Sequence, residues 1–217
     1  MIQDFRFPLS LVLAALAFQA QAGEVYAPIG IPGIGIGYAQ PVNSMFTLRA
    51  DFMTLGSRSK DTTEDGITYQ GRYKLQRTAL LVDLFPMAGS FRFTAGAVLS
   101  TYKGTLDASG ASGTITIGDT TYTGLSAADG MNVEIKFPST TPYLGIGWGH
   151  QAGSGLRFSF DIGAAIGRAK LTASPRGQLA SEPTIQADID KELAELRDGV
   201  GKVRAIPQLS FGIGYSF

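Results

Sequence analysis

The chain has no cysteine, one histidine and one tryptophan among 217 residues. Without cysteine there is neither a disulfide framework nor a thiolate metal site. A charge of one sign is also missing: 18 basic and 18 acidic residues cancel, so no nucleic acid or other polyanion is indicated as a partner. Charged residues of both kinds make up only 17%, whereas glycine occurs 28 times. Glycine is costly inside ordinary elements, so this many must serve turns or close packing. The length suits one large domain or two small ones, and 44% hydrophobic residues could fill a sizeable core.

Long apolar runs are absent beyond the amino terminus. There, "MIQDFRFPLSLVLAALAFQAQAGEV" combines a short polar start, an apolar run from Phe7 to Phe18 and the small-x-small triplet Ala20-Gln21-Ala22. This predicts a secretory signal over 1–22, cleaved after Ala22. The competing readings are a buried helix or an uncleaved anchor, which is short against the ~20 residues that span a bilayer. An exported chain with no membrane helix is periplasmic, secreted or a transmembrane β-barrel.

What the sequence does have is alternation. In "PQLSFGIGYSF" the residues Leu209, Phe211, Ile213, Tyr215 and Phe217 share one strand face, with Ser210, Gly212, Gly214 and Ser216 on the other. A strand with water on its second face would carry Lys, Glu or Thr there. The pattern recurs in "SMFTLRADFMTLG", "SFRFTAGAVLSTY", "PYLGIGWG" and "GLRFSFDIGAAIGRA", where apolar residues oppose Arg, Asp, Ser, Thr and Gly. An apolar outward set and a polar inward set are what lipid outside and a polar lumen inside demand. Eight strands are predicted at 24–31, 34–41, 44–56, 67–85, 90–103, 132–149, 155–172 and 203–217, with a tight turn at Pro32-Gly33. Short connections alternate with long loops near 57–66, 104–131 and 173–202. The expected fold class is therefore all-β: an eight-stranded antiparallel transmembrane β-barrel over 23–217, with both termini periplasmic.

The terminal alternation ending in "YSF" resembles the carboxy-terminal assembly signal of bacterial outer-membrane barrels. Together with "TTPYLGIGWGHQAGSGLRFSFDIGAAIG" it is similar to a proteobacterial group of small outer-membrane proteins. The resemblance implies a fold and a place in the Gram-negative outer membrane, with Leu209, Phe211, Ile213, Tyr215 and Phe217 as the assembly signal. It implies no reaction. Outer-membrane lipid, lipopolysaccharide and the barrel-assembly machinery are the expected partners, and oligomeric state is left open.

Inward facing falls to Arg49, Asp51, Arg77, Asp83, Arg92, Arg157 and Asp161, four cations against three anions in a lumen wide enough only for side chains. Such a set reads as a structural salt-bridge network that plugs the barrel. The alternative is a narrow path for ions or small apolar solutes. A third reading, an enzyme acting on envelope lipid, needs a histidine paired with Ser or Asp near the external rim. His150 instead falls in the predicted periplasmic turn "GHQAGS", where it reads as a polar turn residue. Asp61, Glu64 and Asp65 in "DTTED" lack the spacing of a calcium loop, and "GIPGIGIG" has no helix or ribose-binding acid after it, so no metal or cofactor is expected.

Two insertions remain. "GTITIGDTTYTGLSAADG" has β-branched residues on both sides of Gly118-Asp119 and predicts a small hairpin. "SEPTIQADIDKELAELRDGVG" predicts a helix starting at Glu182 and Pro183 and ending at Gly199, with an apolar stripe of Ile185, Ile189, Leu193, Leu196 and Val200. That stripe covers the barrel mouth, rests on the lipopolysaccharide surface or meets a partner.

Overall fold

The alternating segments close into an antiparallel barrel. The computed structural model describes the backbone of residues 23–64, 67–199 and 204–217. The predicted signal at 1–22 lies outside the described residues, as do Asp65 and Val200. The elements in chain order are β1 (Glu24–Ile31), β2 (Gly33–Pro41), β3 (Phe46–Glu64), β4 (Ile67–Leu84), β5 (Phe91–Ser109), β6 (Thr114–Ile117) and β7 (Thr120–Thr123). There follow β8 (Gly130–Lys136), β9 (Thr140–Trp148), β10 (Gly155–Ile166), β11 (Lys170–Arg176), the helix α1 (Ile185–Gly199) and β12 (Ala205–Ser216).

Around the wall the order is β1, β2, β3, β4, β5, β9, β10, β12. β12 returns to pair with β1 from Glu24↔Ser216 to Ile31↔Leu209. β8 prolongs β9 along β5, since Lys103↔Lys136 and Leu99↔Thr140 keep one register across the interruption. β11 prolongs β10 and pairs with β8. Eight strand positions thus close the wall and leave the barrel itself no exposed edge.

The wall is uneven in height. β3 and β5 each run for 19 residues, whereas β1 has 8 and β2 has 9. The long loop expected near 57–66 is therefore a correction: β3 and β4 stay paired from Ser57↔Lys74 to Glu64↔Ile67. Residues there are polar on both faces, so hydrophobic alternation cannot reveal a strand. Backbone pairing nonetheless propagates from the ladder below. A bulge between Thr54 and Gly56 shifts the register at this point. β5 likewise reaches Ser109 and β11 reaches Arg176, which shortens the loops expected at 104–131 and 173–202.

Facing follows the alternation. Leu156, Phe158 and Ile162 of β10 are 63%, 70% and 46% exposed, while Ser159 and Asp161 between them are buried. On β12, Leu209, Phe211, Ile213 and Tyr215 point outward, and Gln208, Ser210 and Ser216 are buried inside. The small inward residues make room for large ones on the neighbouring strands. A Cβ on Gly147 would lie 2.7 Å from Nη1 of Arg92, and one on Gly163 would collide with the Tyr143 hydroxyl.

Above the barrel, β6 and β7 form the expected hairpin about Gly118 and Asp119. α1 starts at Ile185, two residues later than Pro183, with the Thr184 carbonyl accepting from the Ala187 and Asp188 amides. Ile185, Ile189 and Leu193 are buried against Ile115, Ile117, Tyr122 and Met131. The stripe thus covers the hairpin and the raised sheet; the Leu196 side chain lies outside the described residues.

Candidate functional site

Period-two alternation puts odd-numbered residues of β3 and β4, and even-numbered residues of β5, into the lumen. Three layers result. In the lowest, Glu24 Oε1 lies 3.0 Å from His150 Nδ1. His150 is fully buried and packs on the Tyr26 ring with centroids 4.3 Å apart. The histidine lies in the expected turn, with its ring directed inward. The turn folds back, with φ of 64° at His150, and Thr47 Oγ1 donates to the His150 carbonyl.

The middle layer joins four of the seven expected charges. Arg49 Nε is 2.6 Å from Asp83 Oδ2, and Arg49 Nη2 is 3.0 Å from Asp161 Oδ1. Arg92 Nη1 reaches the same two carboxylates at 3.3 and 2.8 Å. Thr94 donates its hydroxyl to Asp83, and Arg92 Nε donates to the Gly149 carbonyl. Two guanidinium groups and two carboxylates form a neutral ring anchored on the neighbouring strands β3, β4 and β5 and on β10, which stands across the lumen from β3.

One layer up, Arg77 Nη2 is 3.0 Å from Asp51 Oδ1, and Tyr26 donates to the other Asp51 oxygen at 3.2 Å. Arg77 also donates to the Gln208 side-chain carbonyl, and Gln208 Nε2 donates to the Tyr102 hydroxyl. Six of the expected residues are therefore neutralised in two groups. Arg157 is not brought into either: it is half-buried near the lower end against Gly153, with no carboxylate within ion-pairing distance among the described residues. Glu24, Tyr26, Tyr102, Tyr143 and Gln208 were missed by the sequence reading. Alternation alone would have placed Gln208 inside, two residues before Ser210.

Beyond Tyr102 the lumen face changes character. Gly104, Leu106 and Ala108 of β5 continue it, with Met131, Val133 and Ile135 of β8 and Leu171 and Ala173 of β11 beside them. Roofed by Ile115 and Ile117 of the hairpin and by Ile189 and Leu193 of α1, they line a chamber of about 560 Å3. Lys60, Tyr69, Arg72, Tyr73, Thr105, Thr116 and Glu192 contribute polar groups to its lining. The two segments that carry the roof are tied together by Asp129. Its carboxylate accepts from the Gln178 amide and from the Ser126 amide and hydroxyl, each at 2.7 Å. These donors, the Gln178 amide first, hold the carboxyl below the usual carboxylate range.

A closed eight-stranded antiparallel wall, apolar outside and charged within, is the architecture of a transmembrane β-barrel. Among solved structures the fold is similar to Acinetobacter baumannii CarO2, with a TM-score of 0.56 and 16% identity, covering 92% of this chain and 100% of that one. It is also similar to Acinetobacter baumannii CarO, with a TM-score of 0.52 and 17% identity, covering 91% of this chain and 98% of that one. At such identities the likeness is one of fold. No protein-family model and no curated protein matches the sequence.

Proposed function

We propose that the protein is an integral barrel of the Gram-negative outer membrane, closed through its lumen, that binds an apolar or amphiphilic small molecule at its raised, external end. The observation that carries this reading is the sequence of layers along one axis: paired charge below, then an apolar chamber above. A buried ion pair is held by its partner and needs no water, so the rings of Arg49, Asp83, Arg92 and Asp161 and of Asp51 and Arg77 act as a plug. The chamber volume falls within the ~300–1,000 Å3 of small-molecule sites, and its mainly apolar lining with some polar groups suits a hydrocarbon body with one polar end. The short turns and both strand termini at the opposite end then lie in the periplasm, as an exported barrel of even strand number requires.

Two measurements on the refolded protein test the two halves. In planar bilayers the wild type gives no stepwise current; a steady current overturns the plug. A fluorescent fatty-acid probe binds the wild type and is lost, by about tenfold or more, in Val133→Asp, which places an unpaired charge in the chamber wall. Equal probe binding by the variant, with its barrel folded, overturns the chamber as the site.

A further inference from the structure

The outer face of the raised wall carries a row of lysines. Lys74 of β4 stands opposite Lys103 of β5, Lys103 opposite Lys136 of β8, and Lys136 opposite Lys170 of β11. Each has outward parity, and Lys74, Lys136 and Lys170 are exposed. Like charges directly opposed on neighbouring strands destabilise a sheet, and here the arrangement repeats across four strands in register. Lys103 alone has a carboxylate partner among the described residues, Glu134 at 2.7 Å. Among the described residues, Lys74, Lys136 and Lys170 have no internal counter-ion.

Their height says what supplies it. Phe91 at the foot of β5 packs against Trp148 and Phe93, with ring centroids 5.0 and 5.1 Å apart, and marks an aromatic girdle at the lower membrane face. From Phe91 to Lys103 the strand climbs about 41 Å along its length, or about 31 Å along the barrel axis at a tilt of about 40°. An apolar belt about 25 Å tall that starts at Phe91 thus ends just below the lysines. Leu99 and Leu80, exposed on the same face, are among its upper members. The ammonium groups stand where lipid headgroups begin.

We propose that Lys74, Lys103, Lys136 and Lys170 form a docking row for the phosphate groups of a glycolipid in the outer leaflet. A phosphate is matched by ammonium point charges on flexible stems, and two or three phosphates side by side along the row relieve the repulsion that the sheet otherwise carries. The short side of the barrel, β12, β1 and β2, ends at the Pro32 turn and offers no such row. The lipid is therefore held on one side of the barrel, behind the wall that lines the chamber. The inference rests on the outer-membrane reading.

The test compares urea-unfolding midpoints of the wild type and of the fourfold variant Lys74→Gln, Lys103→Gln, Lys136→Gln and Lys170→Gln. Each is refolded into phosphatidylcholine vesicles alone, with phosphorylated lipid A, or with dephosphorylated lipid A. Phosphorylated lipid A raises the wild-type midpoint and leaves the variant's unchanged; dephosphorylated lipid A raises neither. In phosphatidylcholine alone the variant is at least as stable as the wild type, because the repulsion has been removed. The fourfold Lys→Arg variant keeps the rise, and Lys136→Gln alone, the milder change should the fourfold variant fail to fold, gives a smaller one. An equal rise in wild type and glutamine variant overturns the row. So does a rise produced by inorganic phosphate alone, which would make it a free-anion site, or no rise at all, which would leave an acidic protein as the counter-ion. Failure to insert into any vesicle overturns the membrane reading itself, whereas insertion without a lipid A effect overturns only the docking row.

Discussion

Asp161 satisfies two guanidinium groups at once, so its loss is felt twice. Asp161→Ala leaves Arg49 and Arg92 sharing Asp83 alone, with a net buried cation. Removing one partner of a buried pair costs about 3–5 kcal/mol, and a urea-unfolding midpoint reduced accordingly, with no current in a planar bilayer, is the expected outcome. An unchanged midpoint accompanied by anion-selective current would mean that water already solvates these groups. Arg157→Gln is the contrasting case: with no ion pair and partial exposure, its effect stays within about 1 kcal/mol. Gly147→Val acts on the same ring from the neighbouring strand, where Gly147 is the cross-strand partner of Arg92. Its side chain enters the space of the Arg92 guanidinium, and overpacking of this kind costs about 1–3 kcal/mol.

At the scale of elements, the strands of the wall depend on which face meets lipid, whereas the roof over the chamber depends on hydrogen bonds between loops. On β10, Phe160 sits outward against Phe211, ring centroids 5.0 Å apart. Phe160→Arg should cost about 2–4 kcal/mol if the residue lies near the midplane, and Ser159→Thr much less; equal losses of folded yield would mean the facing is reversed. In the roof, Asp129 joins the segment before β8 to the turn after β11. Its carboxyl is held lower in the folded protein than in the unfolded chain, so its contribution is complete above about pH 4 and is lost as pH falls through the lowered folded value. Amide protection at Gln178 should therefore be high at neutral pH and fall on strong acidification. Asp129→Asn should lower it at neutral pH as well.

For the whole molecule, barrel and roof are separable in stability. The barrel is a continuous ladder, while α1 and the hairpin rest on one apolar cluster. Ile189→Asp places a charge in that cluster and should undock the helix. The expected result is a rise in fluorescence of a dye that binds exposed apolar surface, with heat-modifiable migration of the barrel on gels unchanged. Loss of heat-modifiability would show instead that the roof is needed for the wall.

Alternation with period two, together with short and long connections in turn, was enough to determine eight antiparallel strands and their facing, because a barrel in lipid imposes an apolar outward residue at every second position; the tight turn at Pro32 was legible from the Pro32-Gly33 pair. The same parity named six of the residues that meet as ion pairs in the lumen, although not their partners. Height was only partly within its reach: above the membrane both faces of β3 are polar, so nothing in its order of residues separates strand from loop, whereas β4 keeps Tyr69, Tyr73 and Leu75 on one face and was legible from residue 67. Only closure of the wall decided that Asp161 pairs with Arg49 and Arg92 while Arg157 is left aside, that His150 turns inward onto Glu24, and that four lysines from four strands fall into one row. Each of these depends on register between segments far apart in the chain. Register is set by the cyclic pairing of the whole barrel, and no single strand carries it.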